Sequence, residues 1–336
     1  MGHIPNSTRT QKNLSSNQLV RAGKHLARTV DASTLPQTLI SQWKTEDISP
    51  VKRRNYAAFE KTLCFSPLIK RLIDQSVDGA TVRAEIGAQL QKGESTARSQ
   101  DTRSIKVSII EWIFGRGEVI YPALSRTADK CQRGFNHPRT GFLLCPADLD
   151  WDNLSVQNEL KEGTLKSPQF PKFLYEDYRS TPNDPWKSLL RSELLVKGFK
   201  QVFTSPSSAS DEIPTPPTRP SNARLNNMTA VTPAAIAYIA TLIRFSLSSQ
   251  TVFRRSGAIT GTSHEAFYAS LIKLLEDKKK IEIDHLLEWW DSRIFPAAYE
   301  MRTGRTKNTV LAAIKARRAI QSNKNETSEA TDAACN

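Results

Sequence analysis

Apolar residues recur at three- and four-residue intervals along most of this chain, the spacing that lines one face of an α-helix. Tyr56, Phe59 and Leu63 begin such a series, Leu68, Ile69, Leu72 and Ile73 continue it, and Val82, Ile86 and Leu90 extend it. Gly93 is expected to break the pattern, and Asp101 to cap a following helix that carries Ile105, Ile109 and Trp112. From Phe114 to Asp184 the apolar runs shorten and Gly, Pro, Asn and Asp accumulate. Within that loop-rich insert, residues 133–146 read as a short β-hairpin that turns at Asn136, Pro138 and Gly141.

The clearest helical patterns follow. Asp184 before Pro185 predicts a capped start, running through Leu189, Leu190, Leu194, Phe199 and Phe203. Thr232 before Pro233 repeats that start, and the helix after it is apolar all round (Ile236, Tyr238, Ile239, Leu242, Ile243), the mark of a central helix. Thr262 and Glu265 form a capping box ahead of Phe267, Leu271, Leu274 and Leu275. A last pattern holds Ile283, Leu286, Leu287, Trp290 and Ile294 and stops at Pro296. Between the first two of these helices, the proline- and serine-rich stretch 204–232 reads as a long flexible loop. The expected fold is mainly α: one helical core domain over 51–300, with a short β-hairpin and loop-rich insert. Disordered basic ends flank it at 1–50 and 301–336, the second including a basic helix near 306–320.

Charge sharpens the picture at the ends. Of a net +13 over 336 residues, residues 1–30 carry +5 without an acid, and residues 302–324 carry +7 without an acid. Unstructured basic ends attract polyanions through a weak, salt-sensitive interaction, and also simply keep a protein in solution. Two basic clusters, Lys52-Arg53-Arg54 and Lys315-Ala316-Arg317-Arg318, suit nuclear import or phosphate contact. The four cysteines are scattered, so reduced thiols in the nucleus or cytoplasm are expected. The first thirty residues lack an apolar leader, and the most apolar run, 231–247, holds Pro233 and Arg244, so no membrane span is expected.

Candidate chemistry is sparse. Phosphate-loop, dinucleotide and nucleophile-elbow motifs do not occur. Cys131, His137 and Cys145 lie close in sequence but lack a fourth zinc ligand. Asp148, Asp150, Asp152 and Glu159 take calcium-loop positions 1, 3, 5 and 12, but Asn153 replaces the turn glycine, and aspartates facing water around Leu149 and Trp151 account for the pattern better. Neither a metal nor another cofactor is expected. Arg244 in an apolar helix must be paired, with Glu193 or Asp291 as the default, or reach a cavity. Arg244, His137, Asp148, Asp150 and Asp152 therefore form the candidate buried polar site, and an enzyme would need them to converge. Of the adjacent Trp289 and Trp290, one is expected in the core.

Four stretches resemble a known family: RGFNHPRTGFLLCPADLDWDN (133–153), DPWKSLLRSELLVKGFKQVFTSPSSA (184–209), NARLNNMTAVTPAAIAYIATLIRFSLSS (222–249) and LLEWWDSRIFP (286–296). They are similar to an uncharacterised domain family expanded in mushroom-forming basidiomycete fungi. The resemblance implies a fungal, intracellular protein and transfers no activity or catalytic residue. Three readings follow: a nuclear interaction module touching nucleic acid through its basic ends, a protein-binding scaffold, or an enzyme with a pocket around Arg244.

Overall fold

A computed structural model describes residues 6–41, 50–114, 121–124, 130–165, 170–209, 220–253, 263–277 and 280–304. Fifteen α-helices run through these residues. The N-terminal set is α1 (Asn6–Thr29), α2 (Pro36–Ile40), α3 (Pro50–Phe65), α4 (Pro67–Asp74) and α5 (Gly79–Trp112). The middle set is α6 (Pro138–Leu144), α7 (Leu154–Glu162), α8 (Pro185–Ser188), α9 (Glu193–Phe199), α10 (Pro206–Ala209) and α11 (Asn222–Leu225). The C-terminal set is α12 (Pro233–Leu247), α13 (His264–Asp277), α14 (Lys280–Ile294) and α15 (Pro296–Thr303).

The hub is α12. Thr232 caps it, its Oγ1 accepting the Ala235 N–H at 3.1 Å, and Pro233 fills the first turn. Thirteen of its fifteen residues are buried, so the helix needs apolar neighbours on every side. It finds them in α1, α5, α9 and α13. The main apolar cluster gathers Ile105 and Ile109 of α5, Phe199 of α9, Ile239 and Ile243 of α12, Leu271 of α13, and Trp290 of α14. Each such fully buried side chain contributes roughly 1.5–3 kcal/mol. A second cluster joins Leu19, Ile40, Phe59, Ile69, Ile86 and Leu90, tying α1–α4 to the first half of α5.

The reading of 1–50 as a disordered arm does not hold for residues 15–41. Leu19, Ala22, Leu26 and Ala27 are buried on one side of α1. That helix lies parallel to α5: Ser16 meets Gln89, and Arg28 meets Asp101. Gly93 does not break α5. A Cβ there would stand 2.1 Å from the Val20 carbonyl oxygen, and one on Gly23 would stand 2.1 Å from that of Leu90. The two glycines let the backbones touch, a packing role indistinguishable from a helix stop in sequence.

The β-hairpin over 133–146 is absent. Gly134–Asn136 forms a 3₁₀ turn that begins with Gly134 at φ 71°, and α6 follows. Pro138 is the first residue of α6, and Gly141 is small because a Cβ would lie 2.3 Å from the Trp151 ring. The described residues show isolated bridges at Pro146–Pro171 and Tyr175–Leu189 instead of strands. The helix opened by Asp184 stops early: Leu190 takes φ 59°, Ser192 recaps α9, and Lys200–Thr204 widens into a π-helical turn. Within 204–232, Ala209 of α10 and Ala223 of α11 are buried, so those parts pack on the core. Thr262 lies outside the described residues; at the start of α13, Ser263 Oγ accepts the Ala266 N–H at 3.0 Å.

Candidate nucleic-acid interface

Between Ile86 and Ile110, α5 separates its charges by sign. Leu90, Glu94, Ala97, Asp101 and Ile105 are buried, and their spacing puts them on one side. Lys92, Ser95, Ser99, Arg103 and Lys106 lie on the opposite side. Lys92 and Arg103 are exposed and Lys106 is half-buried; the exposed acids of this helix, Glu85 and Glu111, lie outside that interval. The row from Lys92 to Lys106 is about 21 Å long at 1.5 Å per residue. The parallel α1 extends the surface with exposed Arg21 and with Lys24, whose Nζ donates to Gln100 Oε1 at 3.3 Å.

The two inward acids are neutralised from within. Asp101 accepts both arms of the Arg28 guanidinium at 2.7 Å and the Tyr238 hydroxyl at 2.9 Å. Burial alone would lower the Arg28 pKa, and the Asp101 carboxylate reverses this and holds it above its ordinary value. Burial, reinforced by the Asp101 charge, lifts Tyr238 far above the usual phenol range. Glu94 pairs with Arg98 one turn on. No carboxylate of this helix segment is therefore left to offset Lys92, Arg103 and Lys106.

More positive charge lies beneath. Lys130 Nζ sits 3.5 Å over the Phe245 ring and donates to the Phe245 carbonyl and, at 2.7 Å, to that of Gln250. Arg133 donates to the Ser246 carbonyl at 2.8 Å and to that of Lys106 at 3.2 Å. Both cations cap the C-terminus of α12, where carbonyls lack intrahelical partners and the helix dipole is negative. Burial, then Arg133 and Lys106, push the Lys130 pKa down to about 7. His264 is pushed down to about 3 by burial, then by Arg244 and Lys130, and His25 to about 4 by burial, then by Arg28 and Arg21.

The residues singled out in the sequence are distributed differently. Lys52, Arg53 and Arg54 open α3, where Arg54 Nε faces Glu276 Oε1 at 3.5 Å. Lys315, Arg317 and Arg318 lie outside the described residues. His137 is a cap: its Nδ1 accepts the Arg139 N–H at 3.1 Å, and its Nε2 lies 2.8 Å from the Pro122 carbonyl oxygen. Both ring nitrogens are thus committed to the backbone. Asp148, Asp150 and Asp152 are exposed around buried Trp151, and Asp150 accepts the Asp152 N–H at 3.0 Å. Arg244 lies 4.9 Å over the Phe267 ring, and burial lowers its pKa to about 10. Asp291, one of its expected partners, accepts the Val231 N–H at 2.7 Å and pairs with Arg302. His137 and the aspartates are held by separate sets of partners. Trp290 is the core tryptophan, donating to the Leu190 carbonyl at 3.0 Å; Trp289 is half-buried under Arg293.

The sequence reading missed Lys92, Arg103 and Lys106. Their spacing against Glu94 and Asp101 was available, but placing a break at Gly93 split the helix that displays it. No curated protein and no solved structure matches the chain. A family model does match, over residues 92–295, and that span takes in the cationic side of α5, the whole of α12 and the tryptophan pair. The chain belongs to the family of unknown function DUF6698.

Proposed function

We propose that this protein is a non-catalytic helical module that binds the phosphate backbone of nucleic acid along the outer side of α5 and α1. One observation carries the reading: from 86 to 110 the exposed charges of α5 are all positive, and both acids are buried. A rigid row of cations with interspersed hydroxyls at Ser95 and Ser99 meets phosphates without reading bases. The basic ends would add diffuse attraction of the same sign. The resemblance of 133–296 to a basidiomycete family supports a fungal and nuclear setting for this role.

The test is fluorescence anisotropy with random-sequence duplex DNA at several salt concentrations. Full-length protein is compared with a Lys92→Gln, Arg103→Gln, Lys106→Gln variant. Each lost phosphate contact reduces the slope of log K against log salt by about 0.9, so the triple variant should lose about 2.7. An unchanged slope in a folded variant refutes the interface.

A further inference from the structure

A cleft of about 470 Å³ opens where the end of α1, one side of α3, the α11–α12 link and α13 meet. Its lining includes none of Arg21, Lys24, Lys92, Arg103 and Lys106. The volume falls in the range of small-molecule sites, about 300–1,000 Å³. From α3 come Arg54, Ala57, Ala58, Lys61 and Phe65, spaced three and four apart so that one side of the helix forms a wall. Ile272 and Leu275 of α13 face it, Met228 adds a flexible thioether, and Thr232 to Ala234 bring the first turn of α12 to the edge.

Two carboxylates line the cleft and both are engaged. Asp31 accepts the Ser33 N–H and Oγ at 2.7 Å, the Thr34 N–H at 3.1 Å and the Thr34 Oγ1 at 2.8 Å. Glu276 faces Arg54. Lys61, by contrast, makes no ion pair among the described residues, and the α12 N-terminus carries the positive end of its dipole. The His25 ring sits edge-on to Phe65 at 4.7 Å. Its pKa near 4 leaves it uncharged at neutral pH. Ala57, Phe65, Met228 and Leu275 thus give the cleft an apolar stretch, Thr29, Asn226, Asn227 and Thr232 make other parts of it polar, and Lys61 is its cation without an ion pair among the described residues.

We propose that this cleft binds a small amphipathic carboxylate, its apolar chain along Ala57, Phe65, Met228 and Leu275 and its head on Lys61. This goes beyond nucleic-acid contact and does not depend on it. The test uses the full chain, titrated calorimetrically with decanoate and with decan-1-ol below their aggregation limits. Decanoate should bind one to one and at least tenfold tighter than decanol. Lys61→Met should abolish that preference and Lys61→Arg restore it. Ala57→Trp, at an exposed wall position, should block both ligands while the circular dichroism stays native; Met228→Trp closes the same space from the other wall should the first variant misfold. Equal affinity for the two ligands, unaltered decanoate binding by Lys61→Met, decanoate still bound once the cleft is filled, or no binding at all would each overturn the proposal.

Discussion

At the scale of single residues, the molecule depends on a few buried charges whose partners arrive from distant sequence. Arg28 and Asp101 are both buried and bonded at both oxygens. Removing one leaves the other uncompensated, which costs about 3–5 kcal/mol; replacing both by apolar residues of similar size is far milder. Asp101→Leu should therefore lower the urea midpoint strongly, and Arg28→Met combined with Asp101→Leu should recover most of the loss. A double variant as weak as the single would show that the pair is not the cause. The buried histidine His264 gives a second expectation. Its folded pKa of about 3 lies below the usual 6.5, so the fold refuses a proton that the unfolded chain accepts. Stability is unaffected by this group above pH 6.5 and falls as pH drops from there toward 3, by at most about 1.4 kcal/mol per pH unit. Denaturant midpoints between pH 7 and 4.5 should fall less steeply in His264→Phe than in the native chain. Identical slopes would mean that His264 is not excluded from protonation.

At the scale of elements, Gly93 sets two effects against each other. An alanine there gains up to about 1 kcal/mol of helix propensity. It also drives a Cβ to 2.1 Å from the Val20 carbonyl oxygen, an overpacking that costs about 1–3 kcal/mol or more because backbone must move. The second effect wins, so Gly93→Ala should destabilise the protein by about 1–2 kcal/mol in denaturant unfolding. A stabilised variant would mean that α1 and α5 do not touch as described. This crossing also shows where legibility ended. Helix starts were readable because they are local: Thr232-Pro233 and Asp184-Pro185 each cap a helix as their residue types require. The central α12, apolar on nearly every side, was readable for the same reason. Gly93, Gly141, Pro138 and Asp101 were misread because each serves a partner remote in sequence or a neighbouring helix start. The same holds for the α5 cations, visible as a row only once the helix is known to be unbroken.

At the scale of the whole molecule, the cationic surface straddles two kinds of sequence. Lys92, Arg103 and Lys106 lie within the span matched to the family, whereas Arg21 and Lys24 lie before it. Deleting residues 1–50 would not simply remove a basic end. It would take away Arg28, strand the Asp101 carboxylate in the core and uncover Leu90, so loss of binding in such a fragment would report unfolding. Point substitutions on the full chain separate charge from fold, which truncation does not. The placement of α1 has a further consequence for how the protein is made. Thr232 Oγ1 donates to the Thr29 carbonyl across 203 residues, and Tyr268 accepts the Ala32 N–H across 236. At a synthesis rate of about 5–20 residues per second, the end of α1 waits on the order of 10–50 seconds for its last partners to be translated. Leu19 and Leu26 find their apolar partners between residues 39 and 90, which are translated sooner, so α1 can settle on α2–α5 well before the polar contacts at its end close over it.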